Sequence, residues 1–317
     1  MAMVCRKSVC ALMEPPSATQ LQIILQDTNE INEEKLKHNE CQIQEWMKYQ
    51  EHFPKNVDPL FVRSMLRGSK HILEKAKQKL ENNLAARHLY PEIYKNRSPF
   101  QKDVAKAMDV ANIAVMPKLT PKGLRIIIFR LHRPEPHEFN IYGGAKLFFM
   151  LYDLLMSSDC YFAGDITVFD ATHFSGSHMA QFFGPIFKIF DALPKQGYAM
   201  RLKEVHIINI PTILNKMMNV IKKSLHPKVR NFIYIHENPT DLANVFGPEY
   251  VPSDYGGNLK SLREIACDWY EVLNDNADWF EAQEHVKIIS IPKKIHTKFS
   301  MSDQLGVEGS FRKLSID

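Results

Sequence analysis

Beyond about residue 119, short runs of β-branched residues alternate with segments of helical periodicity, and this alternation restricts the fold more than any other feature. Four runs have the length and composition of buried strands, namely 124–131, 166–170, 205–210 and 232–236. Four segments with helical spacing follow or separate them, at 143–158, 178–192, 211–224 and 239–246. Strands that alternate with helices predict an α/β domain with a mainly parallel sheet.

The first third of the chain has a different pattern, because residues 18 to 115 show helical spacing and no strand-like alternation. Asp58-Pro59 predicts a helix start, since an acid suits the N-cap and proline suits the first helical position. We therefore divide the chain into a flexible N-terminus (1–17), a helical domain (18–115), an α/β domain (116–281) and a C-terminal tail (282–317).

Composition excludes several classes of protein. The 317 residues are 45% hydrophobic and 24% charged, which is typical of a globular chain with a real core. A net charge of +4 does not indicate a dedicated nucleic-acid binder. The five cysteines are scattered without a CxxC pair, so we expect reduced thiols in a reducing compartment.

No segment predicts export or a membrane span. The N-terminus MAMVCRKSVCALMEPPS lacks the apolar stretch of a signal peptide. The most apolar helical candidate, 145–156, is short and carries Lys146 and Asp153. We expect a soluble, cytoplasmic monomer that visits membrane surfaces transiently.

Five residues that could support hydrolytic chemistry lie close together after the second predicted strand. They are Asp170, His173, Ser175, Ser177 and His178. The segment FSGSH lacks the G-x-S-x-G turn of an α/β-hydrolase, and a loop with capping side chains explains it equally well. Zinc, calcium, phosphate-loop and dinucleotide motifs are also missing from the sequence, so we expect no catalytic residue, no metal and no cofactor.

An amphipathic segment runs from about Pro211 to Leu225. Its apolar stripe consists of Leu214, Met217, Met218, Ile221 and Leu225. Methionine side chains suit a surface that accommodates changing shapes. Eight Lys and Arg residues against one Glu between 195 and 230 give the region a local positive charge. The pattern fits an ordinary core helix, and it also fits a helix that lies on a membrane surface.

Four segments resemble the signature motifs of the CRAL-TRIO family, over about residues 20 to 280. They are DPLFVRSMLR (58–67), ITVFD with FSGSH (166–178), RLKEVHIINIP (201–211) and VPSDYGG (251–257). The ending GVEGSFRKL (306–314) resembles the tail of insect members. The family usually has proline where Ala199 and Lys223 stand, and glutamate where Asp254 stands.

The resemblance implies a helical N-terminal domain, then a CRAL-TRIO α/β domain with a mainly parallel sheet whose lipid pocket is closed by a mobile gate helix after Pro211. We expect pocket residues at Phe169, Phe174, Ser175, His178, Phe183, Phe187, Ile208, Ile210, Leu214, Met217, Met218 and Ile221. In tocopherol carriers a basic cleft beside the gate binds phosphoinositide head groups. The positions expected to contribute here are Arg67, Arg201, Lys203, Lys222 and Lys223.

The expected function is that of an intracellular carrier. It would bind one hydrophobic lipid, similar to tocopherol, a retinoid or a carotenoid, and transfer it to phosphoinositide-containing membranes. Two alternatives stay open at this point: a phosphoinositide-sensing adaptor without net transfer, and a hydrolase that uses Asp170, His173 and Ser175.

Overall fold

Helices form the N-terminal part of the chain in the computed structural model, which describes residues 9–30, 32–182, 184–212, 215 and 231–291. The helices are α1 (Ala18–Thr28), α2 (Glu33–Lys48), α3 (Pro59–Gly68), α4 (Leu73–Leu89), α5 (Pro91–Tyr94) and α6 (Lys102–Val110). The predicted start of α3 is confirmed, because the Asp58 side chain accepts a hydrogen bond from the Leu60 amide and Pro59 opens the helix.

The helical domain ends earlier than the sequence pattern predicted. Residues 111–115, which we expected to be helical, belong to strand β1 (Ala111–Leu119). This strand is buried along most of its length and therefore has no polar alternation to reveal it. The Trp269 indole donates to the Val115 carbonyl at 2.8 Å, so a helix covers a backbone group that an edge strand would otherwise expose.

Among the described residues the sheet has five strands, in the order β1-β2-β3-β4-β5. The other four are β2 (Leu124–Leu131), β3 (Gly164–Asp170), β4 (Leu202–Ile208) and β5 (Ile233–Ile235). β1 pairs with β2 antiparallel, and the other pairings are parallel. The predicted α/β class with a mainly parallel sheet is therefore confirmed.

A register shift changes which side chains β4 presents to each face. Asp165 lies opposite Leu202, but Ile166 lies opposite Glu204, so Lys203 is the extra residue of a bulge. Side chains alternate between faces along a strand. The bulge therefore places Leu202 on the face of Asp165, and Glu204 on the opposite face with Ile166.

Six helices accompany the strands in the described part of the second half. They are α7 (Ile141–Met156), α8 (Gly176–Gln181), α9 (Pro185–Ala192), α10 (Asp241–Phe246), α11 (Leu262–Asp275) and α12 (Ala277–Gln283). A π-helical turn, Leu193–Gly197, follows α9. The predicted helix 178–192 is divided, because α8 ends at Gln181 and α9 begins at Pro185. Gly184, with a φ of 109°, is the N-cap of α9, and proline suits the first helical position.

Segments that we expected to be flexible or loosely attached pack against this body. Val9 and Met13 are buried, and the Glu14 amide donates to the Pro117 carbonyl at 3.0 Å. Near the other end Val286 and Ile288 are buried, and Ile288 donates to the Leu84 carbonyl at 3.3 Å. The prediction of a flexible segment was therefore wrong for residues 9–16, because two apolar side chains anchor it.

The helical part and the sheet share one hydrophobic core. α7 approaches α6 so closely that a Cβ at Gly143 would lie 2.8 Å from the Asp103 carbonyl oxygen, which requires glycine at this position. Within the described ranges, no helix combines the length and the hydrophobicity needed to cross a membrane.

Candidate functional site

An apolar cavity of about 220 Å³ lies between the sheet and α7. The strands contribute Ile113, Ile127, Phe129, Thr167, Phe169 and Leu202. α7 and the loop before it contribute Phe139, Ile141, Gly144, Ala145 and Phe148. The remaining lining residues are Phe182, Phe190, Pro194 and Met200.

Strand register and helix periodicity together explain how these side chains meet. Ile127 and Phe129 are two residues apart on β2, and the parallel register places them beside Thr167 and Phe169 of β3. On α7, lining residues recur at helical spacing, and the small residues Gly144 and Ala145 leave space in front of the sheet. A strand face with period two and a helix face with period 3.6 therefore enclose the cavity.

Stacked aromatic rings form part of the cavity lining. Phe129 stacks on Phe169 with ring centroids 5.0 Å apart, and Phe182 stacks on Phe190 at 6.2 Å. Among the lining residues that the structure describes, Thr167 alone has a polar side chain. The cavity therefore favours an apolar molecule, with one hydroxyl available to orient it.

The predicted pocket residues have different places in the structure. Phe169 lines the cavity. Phe174 is buried behind it and meets its ring edge-on, with centroids 4.9 Å apart. Ile208 is fully buried in β4, and Ile210 packs partly buried against the core. Phe187 lies in α9, but its side chain falls outside the described structure, as do residues Phe183, Leu214, Met217, Met218 and Ile221.

Ser175 and His178 form the N-terminal cap of α8. The Ser175 hydroxyl lies 2.8 Å from His178 Nδ1, and the Ser175 amide donates to the same nitrogen at 3.1 Å. Nδ1 therefore acts as an acceptor, which leaves the imidazole proton on Nε2. The His178 ring is buried and stacks on Phe174, and burial lowers the pKa of His178. Its Nε2 has no hydrogen-bond partner among the described residues.

Most cavity residues were not among those singled out from the sequence. Strand or helix periodicity alone assigns these positions to an ordinary core. Examples are Ile113, Ile127, Phe139 and Ile141. Their common cavity depends on the pairing of β2 with β3 and on the placement of α7. The sequence offered one indication of the cavity: side chains alternate between the two faces of a strand, so Ile127 and Phe129 share one face of β2.

Two of the predicted phosphoinositide-binding cations meet a carboxylate in the structure. Arg201 forms an ion pair with Asp27 of α1, and Lys203 Nζ lies 3.5 Å from the same carboxylate. Burial raises the pKa of Asp27, but the charges of Arg201, Lys203 and Lys70 outweigh burial and lower it. Lys222 and Lys223 lie outside the described residues.

Arg67 lies in a buried network. Its guanidinium bonds to Glu30 at 2.8 Å and to Asp159, and it covers the ring of Tyr161 at 3.7 Å from the centroid. Burial raises the pKa of Glu30, but hydrogen bonds from His71 and Arg67 outweigh it and lower the pKa to about 2. Arg67 therefore joins α3 to the chain after α1.

The possible hydrolytic residues do not form a relay among the described side chains. The Asp170 carboxylate accepts hydrogen bonds from Asn209 and Tyr255, each at 2.9 Å. His173 Nδ1 contacts the Leu131 carbonyl at 3.2 Å, while Ser175 pairs with His178. Among all residues that the structure describes, no cluster of three His, Cys, Asp or Glu side chains is arranged to hold a metal ion.

Comparison with known proteins gives two domain matches. Residues 110–257 match the model described as "CRAL/TRIO domain", and residues 32–104 match "Pinta-like, UBA domain". The second match covers α2 to α5 and the first three residues of α6, and the first match begins at the last residue of α6. The boundary between the two matches therefore lies within α6, just before the helices give way to the sheet.

Curated relatives have compatible names. The chain is 28% identical over 229 residues to "Alpha-tocopherol transfer protein-like" from Homo sapiens, which covers 71% of this chain and 65% of the relative. It is 22% identical over 205 residues to "Clavesin-1" from Rattus norvegicus, covering 64% of this chain and 58% of the relative. The chain thus spans less than two thirds of the length of these relatives.

Among solved structures, the chain resembles "Crystal structure of Sfh5" with a TM-score of 0.48 and 11% identity, over 74% of this chain and 92% of that one. The domain assignment depends instead on the family-model match, which spans all five described strands and every lining residue of the cavity. Residues 110–257 of this chain are therefore a CRAL/TRIO domain.

Proposed function

We propose that this protein carries one hydrophobic lipid in its apolar cavity and transfers it to phosphoinositide-containing membranes. The cavity is the observation that supports the proposal most directly, because its lining has one polar side chain, Thr167, among aliphatic and aromatic ones. Burial of apolar ligand surface against such a lining is favourable by about 25 cal/mol per Å².

The aromatic walls favour a ligand with a planar, unsaturated part. Phe129 and Phe169 are stacked nearly parallel, with an interplanar angle of 11°, and aromatic rings pack favourably against a further aromatic ring or a polyene. A tocopherol, a retinoid or a carotenoid has such a part. The Thr167 hydroxyl would orient a hydroxyl or carbonyl oxygen of the ligand.

Delivery to a membrane is supported by the distribution of positive charge. Arg201 and Lys203 lie at the start of β4, and Lys222 and Lys223 follow it in the sequence. Each basic side chain near an anionic membrane contributes about 1 kcal/mol to binding. A few such contacts give reversible attachment, which a carrier needs in order to leave with or without its lipid.

Lipid occupancy is tested by native mass spectrometry and lipid extraction of the purified protein. We expect one bound lipid per chain, and an Ala145→Leu variant should lose it because the added atoms fill the cavity. The matched control is Ala282→Leu, the same change at an exposed position of α12. Protein that contains no lipid and takes up neither tocopherol, retinoids nor carotenoids would contradict the proposal.

Transfer is tested with a fluorescent lipid moving from the protein to vesicles with and without phosphatidylinositol bisphosphate. Replacement of Lys222 and Lys223 by Glu should slow transfer to the anionic vesicles and leave lipid retention unchanged. Replacement of the exposed Lys55 and Lys95 by Glu gives the same change in net charge elsewhere. Lipid binding without transfer by the unmodified protein would favour an adaptor instead.

A further inference from the structure

Three cations converge on the carboxylate of Asp27, in the last turn of α1. Arg201 forms an ion pair with it, Lys203 Nζ lies 3.5 Å away, and Lys70 Nζ lies 3.8 Å away. A fourth cation, Lys79, donates to the Tyr198 carbonyl at 2.9 Å. Burial lowers the pKa of Lys79, and the positive charge of Arg201 lowers it further. We call Lys70, Lys79, Arg201 and Lys203 the cation cluster.

The cation cluster has more positive charge than Asp27 can balance. Every ion pair that the described structure gives to Lys70, Arg201 and Lys203 is with Asp27. The Arg201 side chain is only 11% exposed, and its Nη1 has no hydrogen-bond partner in the described part of the chain. A buried guanidinium nitrogen without an acceptor is costly. The site therefore has capacity for an anion with more charge and more acceptor atoms than a carboxylate.

Asp27 occupies an unfavourable place in its own helix. The C-terminus of a helix carries a partial negative charge, so an acid in the last turn is repelled. α1 has no basic residue in its last turn to offset this effect. The position of Asp27 is therefore stabilised by the cations opposite it and not by the helix.

In the described part of the chain α1 has two buried residues, Ile24 and Thr28, and this limited burial makes its displacement feasible. The Gln20 side-chain amide donates to the carbonyls of Leu119 and Thr120 at 2.9 and 3.1 Å, and Ile24 is buried against Gly123. Beyond the helix, Asn29 adopts a left-handed φ of 61°. The chain is then fixed again by Glu30, which pairs with Arg67. α1 thus lies between a polar contact near its start and a firm anchor just after its end.

We propose that α1 is an autoinhibitory strap, in which Asp27 occupies the cation cluster as an internal anion until a phosphoinositide phosphate displaces it. This inference rests on the proposed delivery of lipid to phosphoinositide-containing membranes. A phosphate monoester carries about −1.5 to −2 charges and three acceptor oxygens, so it satisfies the cluster better than one carboxylate does. Arginine can also bind a phosphate through two parallel hydrogen bonds. Cytoplasmic surfaces without such phosphates would leave the strap closed.

The test compares binding of full-length protein to phosphatidylcholine vesicles with and without phosphatidylinositol bisphosphate. Asp27→Asn keeps the shape of the side chain and removes its charge, so the variant should bind the phosphoinositide vesicles about tenfold more tightly than the unmodified protein. Asp27→Glu keeps the charge and should bind like the unmodified protein. Asp109→Asn, which removes an exposed acid paired with Arg133, is the matched control.

A second measurement follows the strap itself. Hydrogen exchange of the α1 amides in unmodified protein should become faster when phosphoinositide vesicles or soluble inositol trisphosphate are added. Faster exchange with the soluble head group shows that phosphate is sufficient, and faster exchange with vesicles alone assigns the trigger to the membrane-bound lipid. Unchanged exchange with both would overturn the strap, even if the Asp27→Asn variant were unstable.

The possible failures are distinguishable. Equal binding by the unmodified protein and Asp27→Asn to phosphoinositide vesicles would overturn the strap and leave membrane delivery standing. No binding by either protein would overturn both. Carriage of lipid in the cavity is measured separately by mass spectrometry, so neither result bears on it.

Discussion

Phe129 and Phe169 are paired in register on the parallel strands β2 and β3, and their rings stack with centroids 5.0 Å apart. Each of these rings also contacts another ring edge-on. Phe139 contacts Phe129 with centroids 6.3 Å apart, and Phe174 contacts Phe169 with centroids 4.9 Å apart. We call these four rings the aromatic floor of the cavity, and their packing against one another holds them in place. A ligand would meet a preformed surface and spend little free energy on ordering it.

Removal of one ring of this pair should affect both stability and ligand binding. Phe169→Ala should lower the free energy of unfolding by about 2–4 kcal/mol, because it removes a half-buried aromatic ring and enlarges the cavity. Urea unfolding measures this loss, and lipid extraction should show weaker retention. Phe100→Ala, at a side chain that is 72% exposed, should change stability by less than about 0.5 kcal/mol. Equal stability of the two variants would show that the stacked pair of Phe129 and Phe169 does not stabilise the fold.

A buried carboxylate joins the helical part to the sheet domain. Asp153 of α7 is fully buried and accepts hydrogen bonds from Arg97 at 2.7 Å and Arg87 at 3.3 Å. Asp153→Asn would leave two buried guanidinium groups without a counter-charge, which should destabilise the protein by about 3–5 kcal/mol. A shift in the urea midpoint checks this value. Asp109→Asn breaks an exposed pair and should have almost no effect. A loss of less than about 1 kcal/mol at Asp153 would show that water compensates the arginines.

Sequence patterns predicted the fold class because the signals are local. Alternating strand and helix segments and the Asp58-Pro59 helix start each depend on neighbouring residues. β1 escaped prediction because it is buried along most of its length, so its residues show no alternation of polar and apolar character. The helical interpretation of residues 111–115 followed from that missing alternation.

The cavity and the Asp27 contact depend on pairings that no sequence pattern contains. Phe169 was predicted to face the ligand, but its partner Phe129 could be identified only from the register of β2 and β3. Leu202 reaches the cavity because of the bulge at Lys203. Asp27 and Arg201 are separated by 174 residues, and neither residue type indicates the other. Local periodicity therefore predicts faces of elements, whereas the site requires their assembly.

Asp165 should make stability depend on pH in an unusual direction. Burial raises its pKa from 3.8 to about 6, although the Arg201 amide and the Tyr152 hydroxyl donate to it. Between about pH 4 and pH 6 the native state holds a proton that the unfolded chain has released, so stability falls as pH rises through this window. Asp165→Asn cannot ionise. Its stability relative to the unmodified protein should therefore increase by up to about 3 kcal/mol from pH 4 to pH 7.

Urea unfolding of both proteins across this pH range measures that difference. Asp268→Asn is the control, because Asp268 pairs with Lys260 near the surface and lies away from Asp165. A constant difference between Asp165→Asn and the unmodified protein would mean that the carboxylate keeps an ordinary pKa through contact with water.

The Ser175 hydroxyl has a structural explanation that can be separated from catalysis. The hydroxyl caps α8 and donates a hydrogen bond to Nδ1 of His178. His178 is therefore positioned to accept a proton from Ser175. A hydrolase would also need a carboxylate to orient that histidine, but Nε2 of His178 has no partner in the described structure, and Asp170 is bound by Asn209 and Tyr255. Ser175→Ala should therefore lower the free energy of unfolding by about 1 kcal/mol, as loss of a helix cap does. Hydrolysis of a nitrophenyl ester should be equal for the variant and the unmodified protein. Activity that disappears with Ser175→Ala would instead establish Ser175 as a nucleophile.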